Sequence, residues 1–206
     1  MAQPTIIHFT RHGDVHNPDQ ILYGRIPNFR LSDLGQRQAQ AAADYLSNRP
    51  LAHIFSSPQQ RAQETARYIV GKHPQLDVKI DERIDEIHSP YQGEPLHKLE
   101  AMGWDLYSDI AADFEQPEDV LRRTHDFISF VRGDYVGQEV TAVTHGDVIA
   151  FMFMFAKGVV PTAGKKISFT ELGLSDMYPA TASVSTITYY TDDPDEVPHY
   201  SYKRPY

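Results

Sequence analysis

Short apolar runs alternate with amphipathic stretches along most of this chain. Ile6-Ile7-His8-Phe9-Thr10 is rich in β-branched and aromatic residues and stops at Gly13, which predicts a buried strand running into a loop. Residues 13 to 30, punctuated by Pro18, Gly24 and Pro27, predict a long loop. Ser32 then offers an N-cap for a helix whose inner face would be Leu34, Ala41, Ala42 and Tyr45. Ala52-His53-Ile54-Phe55 predicts a second strand. Ser57-Pro58-Gln59-Gln60 follows with a capping serine, a proline at the first helical position and a glutamine three residues after the cap. Ala62, Ala66, Ile69 and Val70 give that helix its buried face.

The second half of the chain repeats the pattern. Val78 to Ile84 predicts a third strand ending near Glu86, and residues 88 to 116 predict an irregular insertion with a helix from Pro95 to Ile110. Pro117-Glu118-Asp119 opens a helix with acids in its first turn, where the helix dipole favours them, and Val120, Thr124, Phe127, Ile128 and Val131 line one face. Glu139 to Val143 predicts a fourth strand, followed by Thr144-His145-Gly146 and an apolar helix over Val148 to Ala156. Ser183 to Tyr190 predicts a last strand, and the tail from Thr191 a loosely held surface segment.

Strands alternating with helices predict an α/β fold, a three-layer α/β/α sandwich around a mostly parallel sheet. Ligands of such sheets bind beyond the carboxyl ends of the strands. His12 follows the first strand, Arg61 lies in the helix turn after the second, Glu86 is near the end of the third and His145 follows the fourth. The fold pattern alone therefore gathers four reactive side chains on one edge.

Composition narrows the function classes. The 206 residues, without repeats or a linker, fit one domain carrying an insertion at about 88–116. A formal net charge of -9 argues against a nucleic-acid partner, which needs a basic surface. The absence of cysteine excludes a disulfide scaffold, a thiol nucleophile and a cysteine-ligated zinc site, and fits a cytoplasmic protein. Met1-Ala2-Gln3-Pro4 lacks the charged and apolar regions of a secretory signal. The longest apolar run is about half the ~20 residues needed to span a membrane as a helix.

Arg11-His12-Gly13 has the makings of a phosphoryl acceptor. A neutral imidazole can attack phosphorus, and neighbouring arginines both disfavour its protonation and grip phosphoryl oxygens through forked donors. Taken singly, the tripeptide equally describes an ordinary loop, Arg61 a solvated helix arginine and His145 a strand-end cap. His8, His12 and His16 recur every four residues and would share a helix face as metal ligands. The strand-and-loop pattern separates them, however, and no paired HExxH signature accompanies them. No metal and no cofactor is expected.

Five segments in sequence order together resemble the histidine phosphatase superfamily, in the branch of the phosphoglycerate mutase-like phosphatases. They are Thr10-Arg11-His12-Gly13, Leu31-Ser32-Asp33-Leu34-Gly35, Ser56-Ser57-Pro58 with Arg61 and Thr65-Ala66, Asp81-Glu82-Arg83-Ile84-Asp85-Glu86-Ile87, and Thr144-His145-Gly146. The resemblance implies that His12 accepts the phosphoryl group and that Arg11, Arg61 and His145 form the phosphate pocket. It implies that Glu86, rather than Asp85, Glu82 or Asp81, protonates the leaving oxygen, with partial burial supplying the raised pKa this needs. Asn17, Tyr23 and Gly24 take the family's substrate-contacting positions. A homodimer would suit the family.

The expected activity is metal-independent hydrolysis of a small phosphorylated metabolite through phosphohistidine. The alternatives are a phosphoglycerate mutase-type transfer and a non-catalytic phosphate-binding module. Mutases of the family bring extra basic residues from the insertion, whereas this one carries Glu94, Glu100, Asp105, Asp109, Asp113 and Glu115 beside His97 and Lys98. Tyr91, Trp104, Tyr107 and Phe114 either line it as a lid or form its own small core.

Overall fold

The computed structural model describes residues 3–163 and 169–206; Met1 and Ala2 of the N-terminal stretch lie outside the described residues. Strand β1 (Thr5–Arg11) leads through the long loop to helix α1 (Asp33–Leu46), then β2 (Leu51–Ser56) and α2 (Gln60–Val70). Strand β3 (Val78–Ile80) is followed by a 3-10 turn over Glu82–Ile84 and a short helix α3 (Leu96–Ala101). The remaining elements are α4 (Pro117–Asp134), β4 (Glu139–Thr144), α5 (Gly146–Ala156), β5 (Val184–Tyr189) and β6 (His199–Lys203).

The sheet runs β3-β2-β4-β1-β5-β6. β3, β2, β4 and β1 pair in parallel, and β5 alone is antiparallel to both its neighbours, β1 and β6. Alternation along each strand gives the sheet two apolar faces. Ile54, Val143 and Val184 pack with Ala42, Leu46, Ala62 and Ala66 of α1 and α2 on one side. Ile7, Phe9, Phe55, Ala142 and Ile187 pack with Phe127, Val131, Ile149 and Met152 of α4 and α5 on the other. The result is the expected three-layer sandwich with a mostly parallel sheet. Each of the larger of these side chains contributes about 1.5–3 kcal/mol when fully buried, so the two layers hold the sheet between them.

Helix α5 is buried on nearly every side, which explains its lack of polar periodicity. Val148, Phe151 and Met154 meet Ile87, Leu99, Leu106 and Val120 in a third cluster that anchors the insertion. No helix among the described residues is long and apolar enough to cross a membrane.

Several local expectations give way to packing. The inner face of α1 is Gly35, Gln38, Ala39, Ala42, Ala43 and Leu46, while Leu34 and Tyr45 are exposed. Small residues win that face because α1 lies close against α2. Ser57 does not cap α2, whose first helical residue is Gln60. The third strand ends at Ile80 because Glu82–Ile84 coils into the 3-10 turn, capped by the Asp81 carboxylate on the Arg83 backbone N–H. The expected helix over Pro95 to Ile110 shrinks to Leu96–Ala101, since Gly103 and Trp104 take left-handed backbone conformations. The tail, expected to be loose, returns as the edge strand β6, where Tyr200 stacks 4.2 Å from Phe153 and its hydroxyl donates to Ser185 at 2.7 Å.

One close approach fixes the loop after β1 onto α1. A Cβ on Gly35 would stand 1.9 Å from the Asp14 carbonyl oxygen, and one on Gly13 would stand 2.4 Å from that of Gly35. Gly13 is thus required by contact, and its φ lies outside the left-handed region expected of a sharp turn. Gly35→Ala is expected to lower unfolding stability by about 1–3 kcal/mol, as overpacking does. Urea denaturation read by circular dichroism checks this; an unchanged midpoint would show that the loop moves away freely.

Candidate active site

Parallel pairing decides where the reactive side chains emerge. Arg11 lies opposite Thr144 in the β1–β4 register, so His12 and His145 leave adjacent strands side by side with ring centres 5.2 Å apart. The His12 backbone donates to the Thr144 carbonyl at 3.0 Å, and its own carbonyl accepts from Ala182 at 3.0 Å. Both imidazoles are essentially inaccessible to solvent in the absence of a ligand.

The His12 ring is held in one tautomer. Its Nδ1 lies 2.8 Å from the Gly13 carbonyl oxygen, an acceptor only, so Nδ1 carries the proton and Nε2 the lone pair. Burial, reinforced by Arg61, His145 and Arg11, holds His12 well below the usual imidazole range. Its resting state is therefore a neutral imidazole, the form in which a histidine nitrogen can act as a nucleophile. The Gly13 N–H in turn donates to Thr65 Oγ1 at 3.1 Å, and that hydroxyl donates to the Arg61 carbonyl at 2.9 Å, which ties the loop to α2.

Arg61 is fully buried. Its Nη2 donates to the Gly24 carbonyl at 2.8 Å and lies 3.2 Å from both Glu86 Oε2 and His145 Nδ1. The guanidinium also sits 4.6 Å from the Tyr23 ring centre. Arg11 donates to the Pro179 carbonyl at 2.5 Å and lies 5.2 Å from the Tyr178 ring. The Nε atoms of both arginines are buried without a hydrogen-bond partner. Two orphaned cationic donors beside a neutral imidazole make a cradle for an anion with several oxygens.

Two adjacent acids part company. Glu86 turns to the site, with Oε2 3.2 Å from His145 Nδ1 and Oε1 accepting from the Ile87 N–H at 3.0 Å. Asp85 turns away, accepting from Ser57 Oγ and Gln59 Nε2 at 2.9 Å each. Burial pushes the Glu86 carboxyl up, but His145, Arg61 and the Ile87 amide outweigh it and hold the group well below the usual carboxylate range. The expectation that burial would leave Glu86 raised in the resting site is therefore not met. Burial lowers His145, with Glu86 opposing and Arg61 adding to the shift.

Of the loop residues expected to contact substrate, Tyr23 and Gly24 do border the site. Gly24 has φ of 43° and supplies the carbonyl for Arg61. Asn17 is engaged within its own loop, donating to the Ile21 carbonyl at 2.9 Å and accepting from the Ile21 N–H at 3.2 Å. Tyr107 alone of the insertion's aromatic residues bonds next to the site, donating to Asp147 at 2.5 Å; Tyr178 donates to the other oxygen at 2.5 Å. Trp104 is exposed, and Phe114 stacks on His88.

The three spaced histidines do not converge. His8 bonds Thr186 and Glu139, and His16 is exposed. His12, Glu86 and His145 instead bring one ligand-type atom each within 4.8 Å of one another. That spacing suits a small cation or a phosphoryl group, and the Arg61 guanidinium against two of the three favours an anion. Ser57, Asp85 and Asp147 went unread in the sequence as site residues. Ser57 gave a helix-cap signal, and Asp85 was one of four neighbouring acids.

Comparison with known proteins identifies the family. A family model described as the histidine phosphatase superfamily (branch 1) matches residues 7–195. An uncharacterised Mycobacterium tuberculosis protein, Rv0525, is 36% identical over 152 residues, 70% of this chain and 75% of its own. Mouse fructose-2,6-bisphosphatase TIGAR is 34% identical over 130 residues, 59% of this chain and 48% of TIGAR. The solved structure of mycobacterial glucosyl-3-phosphoglycerate phosphatase Rv2419c matches with a TM-score of 0.74 and 24% identity over 98% of both chains, a likeness of fold.

The buried neutral histidines link stability to pH. His12 and His145 have lowered folded pKa values, so the unfolded chain binds more protons just below the free-imidazole value of about 6.5. Their contribution is fully present above that value and is lost as pH falls towards the folded values. Urea unfolding from about pH 7 to about pH 5 is expected to show falling stability, and His12→Asn is expected to flatten the dependence. Equal slopes in parent and variant would assign the effect to other groups.

Proposed function

The chain belongs to the histidine phosphatase superfamily, branch 1, and on that premise we propose that it hydrolyses the phosphomonoester of a small metabolite through a phosphohistidine on His12. The observation that carries this reading is the His12 ring: Nδ1–H fixed on the Gly13 carbonyl, burial keeping the ring neutral, and Nε2 free beside two arginines with orphaned donors.

In this mechanism the orphaned Nε groups of Arg11 and Arg61 take phosphoryl oxygens, with His145 Nδ1 facing a third. The Nε2 lone pair of His12 forms the P–N bond as the P–O bond to the leaving group breaks. The departing oxygen takes a proton from Glu86. Water then attacks phosphorus and gives its proton to Glu86, the P–N bond breaks, and inorganic phosphate leaves with His12 and Glu86 restored. Stabilisation of charge on the transferring oxygens supplies most of the rate.

Glu86 must be protonated to act first as an acid, although the resting site holds it ionised. Substrate binding resolves this. Arg61, the permanent cation that lowers the Glu86 pKa, turns to the phosphate, whose own negative charge then lies beside the carboxylate and raises it. The proton arrives with a monoanionic phosphate or from solvent. No step requires a metal, and the Arg61 guanidinium supplies the positive charge a divalent ion would otherwise provide.

With a generic aryl phosphate and a panel of metabolite phosphates in the presence of chelator, the parent is expected to release phosphate and His12→Ala to release none. Brief mixing with substrate and acid-free quenching should trap one phosphoryl group on His12 by intact mass and peptide mapping. Equal release by both proteins would remove His12 as nucleophile; loss of activity restored by a specific divalent ion would overturn metal independence. Glu86→Gln is expected to lower kcat by about 10²–10⁴-fold, the range of general acid–base catalysis. Its loss should shrink with aryl phosphates whose leaving group needs no proton, and an equal loss for all leaving groups would assign the acid elsewhere.

A further inference from the structure

At the His145 ring nitrogen that does not face Arg61 and Glu86 begins a chain of hydrogen bonds that the phosphoryl-transfer steps above leave unused. His145 Nε2 is 2.7 Å from Ser57 Oγ, and Ser57 Oγ is 2.9 Å from Asp85 Oδ1. All three residues are buried, with Ser57 and His145 wholly inaccessible. The Asp85 carboxylate is itself held firmly. Its Oδ1 also accepts from the Glu86 backbone N–H at 2.7 Å and Gln59 Nε2 at 2.9 Å, and its Oδ2 lies 3.3 Å from Arg25 Nε.

The direction of this chain follows from donor counting. A carboxylate only accepts, so the single Ser57 hydroxyl proton goes to Asp85. The Ser57 oxygen already accepts the Gln59 N–H at 3.2 Å, and its remaining lone pair faces His145 Nε2. Nε2 must therefore be the donor. We propose that Ser57 and Asp85 form a positioning relay that pins a proton on His145 Nε2, leaving Nδ1, the nitrogen facing Arg61, Glu86 and the phosphoryl site, as the atom that gains and loses a proton during turnover. The proposal rests on the phosphatase reading for its catalytic consequence, while the tautomer it specifies is a property of the resting protein.

The arrangement gives His145 two states with the same outer contact. Neutral, its Nδ1 accepts from Arg61 Nη2; charged, its Nδ1–H donates to Glu86 or to a phosphoryl oxygen. The Asp85 charge, conveyed through Ser57, favours the second state as negative charge builds on the transferring group. The charged and titratable groups facing His145 are His12 from β1, Arg61 from α2, and Asp85 and Glu86 from the segment after the 3-10 turn. Burial and Arg61 oppose its protonation, and Glu86 and Asp85 favour it.

The test uses the full chain with histidine labelled with nitrogen-15, alone and with inorganic phosphate, in the parent and in Ser57→Ala, Ser57→Thr and Asp85→Asn. Ring correlations should show His145 in the parent with Nε2 protonated throughout the neutral range. Ser57→Ala should release this tautomer into a mixture, and Ser57→Thr, which keeps the hydroxyl, should restore it. Asp85→Asn removes the charge while keeping an acceptor, so protonation of Nδ1 should move to lower pH. In turnover, Ser57→Ala and Asp85→Asn should lower kcat by about 10- to 100-fold, as loss of a histidine's orienting partner does, with KM little changed. The alkaline limb of their kcat profiles should move to lower pH, because the charged ring is lost sooner.

An unaltered tautomer in Ser57→Ala, or an alkaline limb that stays in place in both variants, would overturn the relay even if activity fell. Melting temperatures identify a variant that has lost its fold, and the Thr and Asn variants keep the question answerable in that case. If the tautomer behaves as stated and no substrate is turned over, the relay stands and the phosphatase reading fails.

Discussion

A fully buried guanidinium cannot discharge itself, and the arrangement around Arg61 follows from that constraint. Its charge persists at any physiological pH, so every neighbour must either accept from it or tolerate it. The Gly24 carbonyl, the Glu86 carboxylate, His145 Nδ1 and the Tyr23 face meet this need from three separate parts of the chain. Removing a partner from such a group commonly costs about 3–5 kcal/mol because a charge is left uncompensated. The long loop after β1, the turn after β3 and the start of α5 are thus bound to α2 by one side chain, whose remaining Nε donor awaits an anion.

What could be read from the sequence was whatever depends on strong local signals. The apolar runs of β1, β2 and β4 locate the sheet, and the rule that ligands lie beyond strand ends gathers His12, Arg61, Glu86 and His145, which the structure brings together. The failures have local causes. On α1 the expected face holds at Ala42 and fails at Leu34 and Tyr45, because tight packing against α2 selects Gly35, Ala39 and Ala43 over bulkier residues. Strand β6 gave no signal because His199–Lys203 alternates between exposed and half-buried positions at a sheet edge, where polar residues are favoured. Ser57 resembles a helix cap because a serine before a proline carries the same letters whether it bonds a helix backbone or, as here, a buried histidine.

The acids at 85 and 86 show the limit most clearly. Adjacent in sequence and alike in chemistry, they meet different nitrogens of His145, Glu86 at Nδ1 beside Arg61 and Asp85 near Nε2 beside Ser57. No pattern of residue types separates them; only the direction of the backbone after the 3-10 turn does. The same backbone holds Glu86 against Arg61 and His145, which keep it ionised at rest.

The reversal of β5 has a further consequence for how this scaffold can diversify. The other site residues leave the ends of parallel strands, but the segment carrying Tyr178 and Pro179 reaches the site just before β5 begins. Its attachment is already secured by the Ser183 carbonyl on the Arg11 N–H and the Ala182 N–H on the His12 carbonyl. Sheet register and the position of His12 are therefore fixed by residues 182 and 183, and the wall that Tyr178 and Pro179 build beside Arg11 is free of that duty. It is the part of this scaffold where a side chain can be exchanged without moving a strand.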